Sequence, residues 1–260
     1  MNSTETLLEF FDCNTWIGRP MNLLPGRPNP PGCSAEYLIS EMDKAGISKA
    51  LVWHVAQRDS FPATGNDLLI EAIAGSERLV PCWTLLPPQT RELGDLDSFF
   101  GQAGKAGVKA FRVFPDIHRF LLRRTCMCEL FDRMVVRRIP LILRVPGNVD
   151  WSGVYDLLSE TPELTVILSN MGSWGSDRFF RPLIEDYPNV YIETSGYITD
   201  GGIEAFVESY GSQRLLFGTN FPEAYHGAMM LSIAHAEISH TDKEAIACGN
   251  LDRLLRRVKL

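Results

Sequence analysis

Two arginines, Arg112 and Arg144, each follow a short apolar run and are the first candidates for ligand binding in this sequence. A guanidinium holds a carboxylate or phosphate through two parallel hydrogen bonds, so an arginine pair at one site favours a small anionic ligand. Buried arginines are seldom unpaired, so the alternative is an internal ion pair with Asp12, Asp116 or Glu193. The residue types leave both interpretations open.

Two histidines and a glutamate are the candidate acids and bases. His54 follows an apolar run, and its ordinary pKa of ~6.5 suits proton transfer, although a hydrogen-bonded histidine at a strand end is the plainer interpretation. Glu223 and His226 share a face if a helix begins near Pro222. A solvated helix start, with Glu223 favoured by the helix dipole, fits these two residues equally well.

The hydrophobic pattern must supply the elements that bring these residues together. Short runs rich in Val, Ile, Leu or Phe predict parallel strands, and amphipathic stretches between them predict helices. The runs are Leu7–Phe11, Ala50–Val55, Leu79–Leu85, Val108–Phe114, Pro140–Val145, Leu164–Leu168, Val190–Thr194 and Arg214–Phe217. This alternation predicts an α/β chain with a single (β/α)8 TIM barrel. An open doubly wound sheet fits less well, because no Gly-rich phosphate loop follows any run.

Length and charge restrict the class of protein. The chain has 260 residues, close to the ~250 of one barrel, so we expect one domain over residues 1–260. The net charge of −7 argues against nucleic-acid binding. No apolar run reaches the ~18 residues that span a bilayer, and the first residues lack a signal-peptide pattern, so we expect a cytoplasmic protein. A homodimer is the expected state of any oligomer, because it is the commonest.

Segments from most of the chain resemble amidohydrolase family 2, which includes decarboxylases and lactonases. Residues 210–222, YGSQRLLFGTNFP, resemble the family's strand-8 signature, and residues 241–255, TDKEAIACGNLDRLL, resemble its closing helix. Residues 107–115 and 189–196 resemble its strands 4 and 7. The resemblance implies a TIM barrel whose site lies at the C-terminal ends of the strands. It also implies, as the norm of the family, zinc or another divalent metal.

The positions that match the family's metal ligands carry other residues here. Asn14 and Trp16 stand where the family's first strand has two histidines. Arg144, Asn170 and Asn220 stand where it has a histidine, a histidine and an aspartate. Amides are poor zinc ligands, a guanidinium repels a cation, and an indole offers only an N–H donor. We therefore expect no metal and no other cofactor.

Three functional hypotheses follow. The first is a metal-independent, lactonase-like hydrolase of a small carboxylated or otherwise anionic substrate, in which the arginines anchor the substrate and His54, or Glu223 with His226, activates water. The second is a non-catalytic barrel that binds a small anion or a protein partner, and the third is a zinc hydrolase with rearranged ligands. Tryptophans such as Trp53 and Trp174 could stack a planar ligand or pack in the core. The expected substrate-binding residues are Asn14, Trp16, Trp83, Asn170 and Asn220.

Overall fold

The computed structural model describes residues 7–21, 32–172 and 175–260. Its strands form one eight-stranded sheet in the order β1 to β8, and neighbouring strands are parallel. The strands are β1 Phe10–Ile17, β2 Ile47–His54, β3 Leu79–Thr84, β4 Ala110–Arg112, β5 Leu141–Arg144, β6 Val166–Ser169, β7 Val190–Glu193 and β8 Leu215–Leu216. The prediction of a single (β/α)8 barrel is confirmed.

Helices connect successive strands and cover the outer face of the sheet. They are α1 Ala35–Ala45, α2 Ala56–Asp59, α3 Pro62–Ala72, α4 Leu96–Lys105, α5 Pro115–His118, α6 Arg124–Arg137, α7 Trp151–Glu160, α8 Asp177–Asp186, α9 Gly202–Tyr210, α10 Gly227–His235, α11 His240–Glu244 and α12 Asn250–Arg256. None of the helices in the described part of the chain has the length and apolarity needed to cross a membrane.

Side-chain caps fix where several of these helices begin. Ser34 accepts a hydrogen bond from the backbone N–H of Tyr37 at the start of α1, and Asp95 and Asp150 make the equivalent bond for α4 and α7. Such caps satisfy backbone donors that have no partner within the helix. Gly46 ends α1 in the left-handed conformation, which leads the chain directly into β2.

Strand β1 differs from its prediction. The apolar run predicts Leu7–Phe11, whereas the strand spans Phe10–Ile17. Its register against β2 shifts between Asp12 and Thr15, which marks a bulge. Asp12 and Asn14 are polar but fully buried, so the strand carries polar groups into the barrel beyond the end of the predicted apolar run.

Strands β8 and β1 close the barrel through a small set of contacts. The backbone N–H groups of Cys13 and Trp16 donate to the carbonyl oxygens of Phe217 and Phe221, at 2.8 and 3.0 Å. The Thr219 hydroxyl donates to Asp12 Oδ2 at 2.5 Å, and the Thr219 N–H donates to Oδ1 at 3.1 Å. A buried carboxylate of β1 is therefore part of the closure.

Two predicted loops cannot be compared with the structure. The long loop expected over Pro20–Gly32 falls mainly on residues 22–31, which lie outside the described residues. The Gly/Ser-rich segment Gly172–Asp177 precedes a helix, which weakly predicts phosphate binding by its backbone; it includes residues 173 and 174, which are also outside the described residues. Both stay predictions.

Candidate functional site

Asn14 and Arg112 meet inside the barrel. Arg112 Nη2 donates a hydrogen bond of 2.9 Å to Asn14 Oδ1. Strands β1 and β4, which carry the two residues, are separated in the sheet by β2 and β3. Because the residues are on strands that are not neighbours, their contact crosses the interior. Both side chains therefore point into the barrel, at the end where parallel barrels place their sites.

Four inward-facing side chains form one wall of this interior. Trp16 is the register partner of Trp53, with ring centroids 6.3 Å apart, and Thr84 is the register partner of Arg112. The guanidinium carbon of Arg112 lies 5.2 Å from the centre of the Trp53 ring. We call Trp16, Trp53, Thr84 and Arg112, which come from β1 to β4, the donor wall.

Each residue of the donor wall has a buried polar atom without a hydrogen-bond partner among the described residues. These atoms are Trp16 Nε1, Trp53 Nε1, Thr84 Oγ1 and Arg112 Nε. The indole and guanidinium nitrogens can only donate, and the hydroxyl can do so as well. Buried polar groups in folded proteins are nearly always hydrogen-bonded, so unpaired donors on four successive strands indicate a place for an acceptor.

Asn14 links Arg112 to the opposite side of the interior. Its Nδ2 donates to Glu193 Oε1 at 3.2 Å and to Asn170 Oδ1 at 2.9 Å. The Asn14 side chain thus stands between a buried guanidinium and a buried carboxylate. Among the ion pairs of the described residues, none joins Arg112 to a carboxylate, so this amide is its connection to Glu193.

Glu193 is fully buried at the end of β7 and is held by short hydrogen bonds. It accepts from the Ser195 N–H at 2.7 Å, the Ser195 hydroxyl at 2.6 Å and the Asn170 N–H at 2.8 Å. Burial raises the pKa of its carboxyl, while the hydrogen bonds from Ser195 and Asn170 act in the opposite direction. The carboxyl group has this position because Gly218, on the neighbouring chain segment, has no side chain.

Arg144 lies nearer to solvent and has a carboxylate partner. Its Nη1 and Nη2 are 3.5 and 3.4 Å from the two carboxylate oxygens of Glu223, and each side chain is about one-third exposed, at 32% and 33%. Asn220 Nδ2 also donates to Glu223, at 3.1 Å. Burial lowers the pKa of Arg112, and the positive charge of Arg144 also lowers it, whereas the charge of Glu193 raises it. Arg112 on β4 and Arg144 on β5 are carried by neighbouring strands.

Neither candidate histidine faces the arginines. His54 is the register partner of Ile17, so it alternates with the inward-facing Trp53, and its Nδ1 accepts the Ala56 N–H at 3.1 Å. Burial lowers its pKa. The His54 side chain thus points away from the barrel interior and lies at the start of α2.

His226 is buried behind β8. Its Nδ1 lies 3.3 Å from Thr219 Oγ1 and 3.7 Å from Asp12 Oδ2, and its ring stacks on Phe221 with centroids 4.3 Å apart. Because the Thr219 hydroxyl donates to Asp12, the geometry favours a proton on Nδ1. His226 therefore belongs with the contacts that close the barrel, and it is not brought together with Arg112 or Glu223.

Of the expected substrate-binding residues, Trp83 is the one on the other side of the sheet. It is the register partner of Phe111 and packs on Phe99 of α4, with centroids 5.6 Å apart. Asn170 lies in the interior beside Ser169, whose hydroxyl donates to it at 2.8 Å. Asn170 and Asn220 both have positive φ, at 54° and 60°, which asparagine tolerates better than most residues.

A family model described as "Amidohydrolase" matches residues 15–257. The chain belongs to the amidohydrolase family. A search of curated proteins found no match. An uncharacterised TIM-barrel protein from Bordetella bronchiseptica is 19% identical, with a TM-score of 0.72 over 96% of this chain and 99% of that one.

Two further solved structures that resemble this chain are of proteins named for an activity. A 2,6-dihydroxybenzoate decarboxylase, in complex with 2,6-dihydroxybenzoate, is 15% identical, with a TM-score of 0.69 over 96% of this chain and 99% of that one. A probable 2-pyrone-4,6-dicarboxylic acid hydrolase from Acinetobacter baumannii, with citric acid bound, is 12% identical, with a TM-score of 0.72 over 95% and 99%. At these identities the similarity establishes the fold alone.

The residues at the mouth of this family member do not fit a catalytic divalent metal. The described residues contain no group of three His, Cys, Asp or Glu side chains arranged to hold an ion. The interior instead presents N–H donors and the guanidinium of Arg112. These groups bind acceptors and repel a cation. We therefore derive no chemical step through a metal.

Sequence reasoning missed Thr84 and Gly218 and gave Glu193 only as a possible arginine partner. Thr84 ends an apolar strand and resembles a core residue in sequence. Gly218 lies 25 residues from Glu193, and nothing in the pattern relates the two. The signal available for Glu193 was a lone carboxylate in an otherwise apolar run, which is rare unless the carboxylate has buried partners.

Proposed function

We propose that the mouth of this barrel binds a small planar organic carboxylate without a metal. The observation that carries the proposal is the donor wall, with its four buried polar atoms that lack partners in the described part of the chain. A buried donor left unpaired costs about 1–3 kcal/mol. A carboxylate has only acceptor oxygens when ionised, so it satisfies such donors without adding a new unpaired donor.

The surroundings of the donor wall support a planar anion. The indole rings of Trp16 and Trp53 are tilted against each other with centroids 6.3 Å apart, and they line the same wall as Arg112, whose charge a carboxylate neutralises. Two structurally similar proteins, a dihydroxybenzoate decarboxylase and a probable pyrone-dicarboxylic acid hydrolase, act on carboxylated rings according to their names.

Metal-independent, lactonase-like hydrolysis of such a ligand is the second candidate function. Glu223 supports it, because this partly exposed carboxylate lies 3.4 Å from Arg144 Nη2 at the mouth and a carboxylate can act as a base toward water. The orientations of His54 and His226 give this mechanism no histidine base. We therefore propose binding first and hydrolysis second, with Glu223 as the base.

Isothermal titration with benzoate tests the binding proposal. Trp53→Phe keeps the ring but removes the N–H, and Arg112→Met keeps the apolar stem but removes the charge. A hydrogen bond to a charged acceptor contributes about 1.5–3 kcal/mol, so Trp53→Phe should weaken binding by roughly ten- to a hundredfold. Arg112→Met should abolish detectable binding.

Arg257→Met is the matched control, because Arg257 is exposed at the end of α12. It should leave benzoate binding unchanged. Circular dichroism and thermal melting would show whether each variant folds. Failure of the folded wild-type protein to bind benzoate and related aryl carboxylates would overturn the proposal.

The hydrolysis proposal is tested separately with a carboxylated aryl lactone. Release of the hydroxy acid should depend on enzyme concentration and should fall by at least about a hundredfold in Glu223→Gln, as expected when a general base is lost. If the lactone binds but is hydrolysed no faster than in buffer, the hydrolysis proposal is refuted and the binding proposal stands.

A further inference from the structure

The mouth of the barrel contains two cationic positions at different depths. Arg112 is 2% exposed and belongs to the donor wall. Arg144, on the neighbouring strand β5, is 32% exposed in its side chain. In the β4–β5 register Arg112 lies beside Ile142, which places Arg144 two residues further toward the mouth. The two positions therefore form a deep subsite and a rim subsite.

The two subsites differ in whether a carboxylate of the chain already fills them. The Nε donor of Arg112 has no partner among the described residues, whereas both terminal nitrogens of Arg144 face Glu223 at 3.4–3.5 Å. Asn220 Nδ2 holds the same carboxylate at 3.1 Å. An incoming anion thus meets buried donors without a partner among the described residues in the deep subsite, and a carboxylate at the rim.

We propose that Glu223 determines the charge of the ligand, so that the barrel selects aryl monocarboxylates over dicarboxylates. This inference rests on the proposed carboxylate-binding function. A single carboxylate enters the deep subsite and leaves the Arg144–Glu223 pair intact. A second carboxylate directed to the rim must either displace Glu223 from Arg144 or lie beside it as a like charge.

The size of the effect follows from the exposure of the pair. Two unit charges in contact interact weakly in bulk water and several times more strongly near a protein surface. Glu223 and Arg144 are one-third exposed, so solvent screens them and the interaction is close to the weaker limit. The expected discrimination against the second carboxylate is about tenfold in Kd.

The experiment compares benzoate with benzene-1,3-dicarboxylate by isothermal titration in the wild type and in Glu223→Gln. The glutamine has the same shape and keeps an acceptor oxygen for Asn220, but it carries no charge. We expect the ratio of dicarboxylate affinity to benzoate affinity to rise about tenfold in this variant. Glu208→Gln, an exposed glutamate on α9, removes one charge elsewhere and should change neither affinity.

The outcomes separate this inference from the function on which it rests. If both ligands bind and their affinity ratio is the same in the wild type and in Glu223→Gln, ligand selection by Glu223 is overturned and carboxylate binding stands. A wild-type protein that prefers the dicarboxylate also overturns it. If neither ligand binds the folded wild type, both proposals fail. Thermal melting of each variant verifies that the protein is folded.

Discussion

Replacing Gly218 with alanine tests whether the buried carboxylate of Glu193 organises the site. A Cβ at this position would lie 2.1 Å from Glu193 Oε2 and 3.0 Å from its Cδ. Real Cβ contacts are not that short, so the carboxyl group must move by roughly 1 Å. Its bonds from Ser195, at 2.6 and 2.7 Å, and from Asn170, at 2.8 Å, cannot all survive that displacement.

The expected cost follows from those bonds. A hydrogen bond to a charged group contributes about 1.5–3 kcal/mol, so losing one or two of them should lower the free energy of unfolding by about 3 kcal/mol. For a chain of this size, 1 kcal/mol corresponds to about 2–4 °C in Tm. The variant should therefore melt about 6–12 °C below the wild type, as measured by calorimetry.

Gly101→Ala is the matched control. Gly101 lies within α4, and a Cβ there would meet nothing within 4 Å. This alanine should raise the free energy of unfolding by about 0.5–1 kcal/mol, because glycine loses more backbone freedom on folding. If Gly218→Ala is as stable as the wild type and binds benzoate equally well, the carboxylate does not organise the site as we argue.

Three further predictions concern titration, barrel closure and metal content. Burial raises the pKa of Glu193, so the contribution of this group to the free energy of unfolding is present below the ordinary glutamate range and is lost as pH rises through the raised pKa. Glu193→Gln should remove that loss. Parallel plots of unfolding free energy against pH for the wild type and the variant would contradict this prediction. Thr219→Val removes the hydroxyl that contacts both Asp12 and His226. It should lower the free energy of unfolding, measured in urea, by about 2–4 kcal/mol, and a decrease below about 0.5 kcal/mol would refute the prediction. Elemental analysis should find far less than one zinc per chain, and stoichiometric zinc would contradict the donor-site interpretation.

Most of the barrel could be predicted because seven of its strands begin near apolar runs that parallel strands require. The hydrophobic pattern predicts only the start of β1, since the inward positions after it carry Asp12 and Asn14, and a bulge displaces the register. The polar groups that interrupt its hydrophobic pattern are the same groups that reach Thr219 and Glu193. The buried polar contacts of this strand are therefore the reason that its second half does not show in a hydrophobic pattern.

The sequence predicts which residues are candidates for the site, but it does not predict which of their side chains contact each other. Their positions near the ends of apolar runs identify Arg112 and Arg144 as candidates. Whether each arginine has a carboxylate partner depends on contacts with residues far along the chain. Glu223 is 79 residues from Arg144, and Glu193 is 179 residues from Asn14. His54 follows Trp53 directly in β2, so the two side chains point to opposite faces of the sheet. An error of one position in the predicted register would reverse which of them faces the interior.

The amide of Asn14 keeps opposite charges on opposite sides of the interior. Its Oδ1 faces the guanidinium of Arg112 and its Nδ2 faces the carboxylate of Glu193, and it does not titrate in the physiological range. The barrel is consequently polarised from β7 toward β4, perpendicular to its axis. Under the proposed function, the carboxylate end of an anionic ring turns toward β4 in such a field, and its uncharged end turns toward β7.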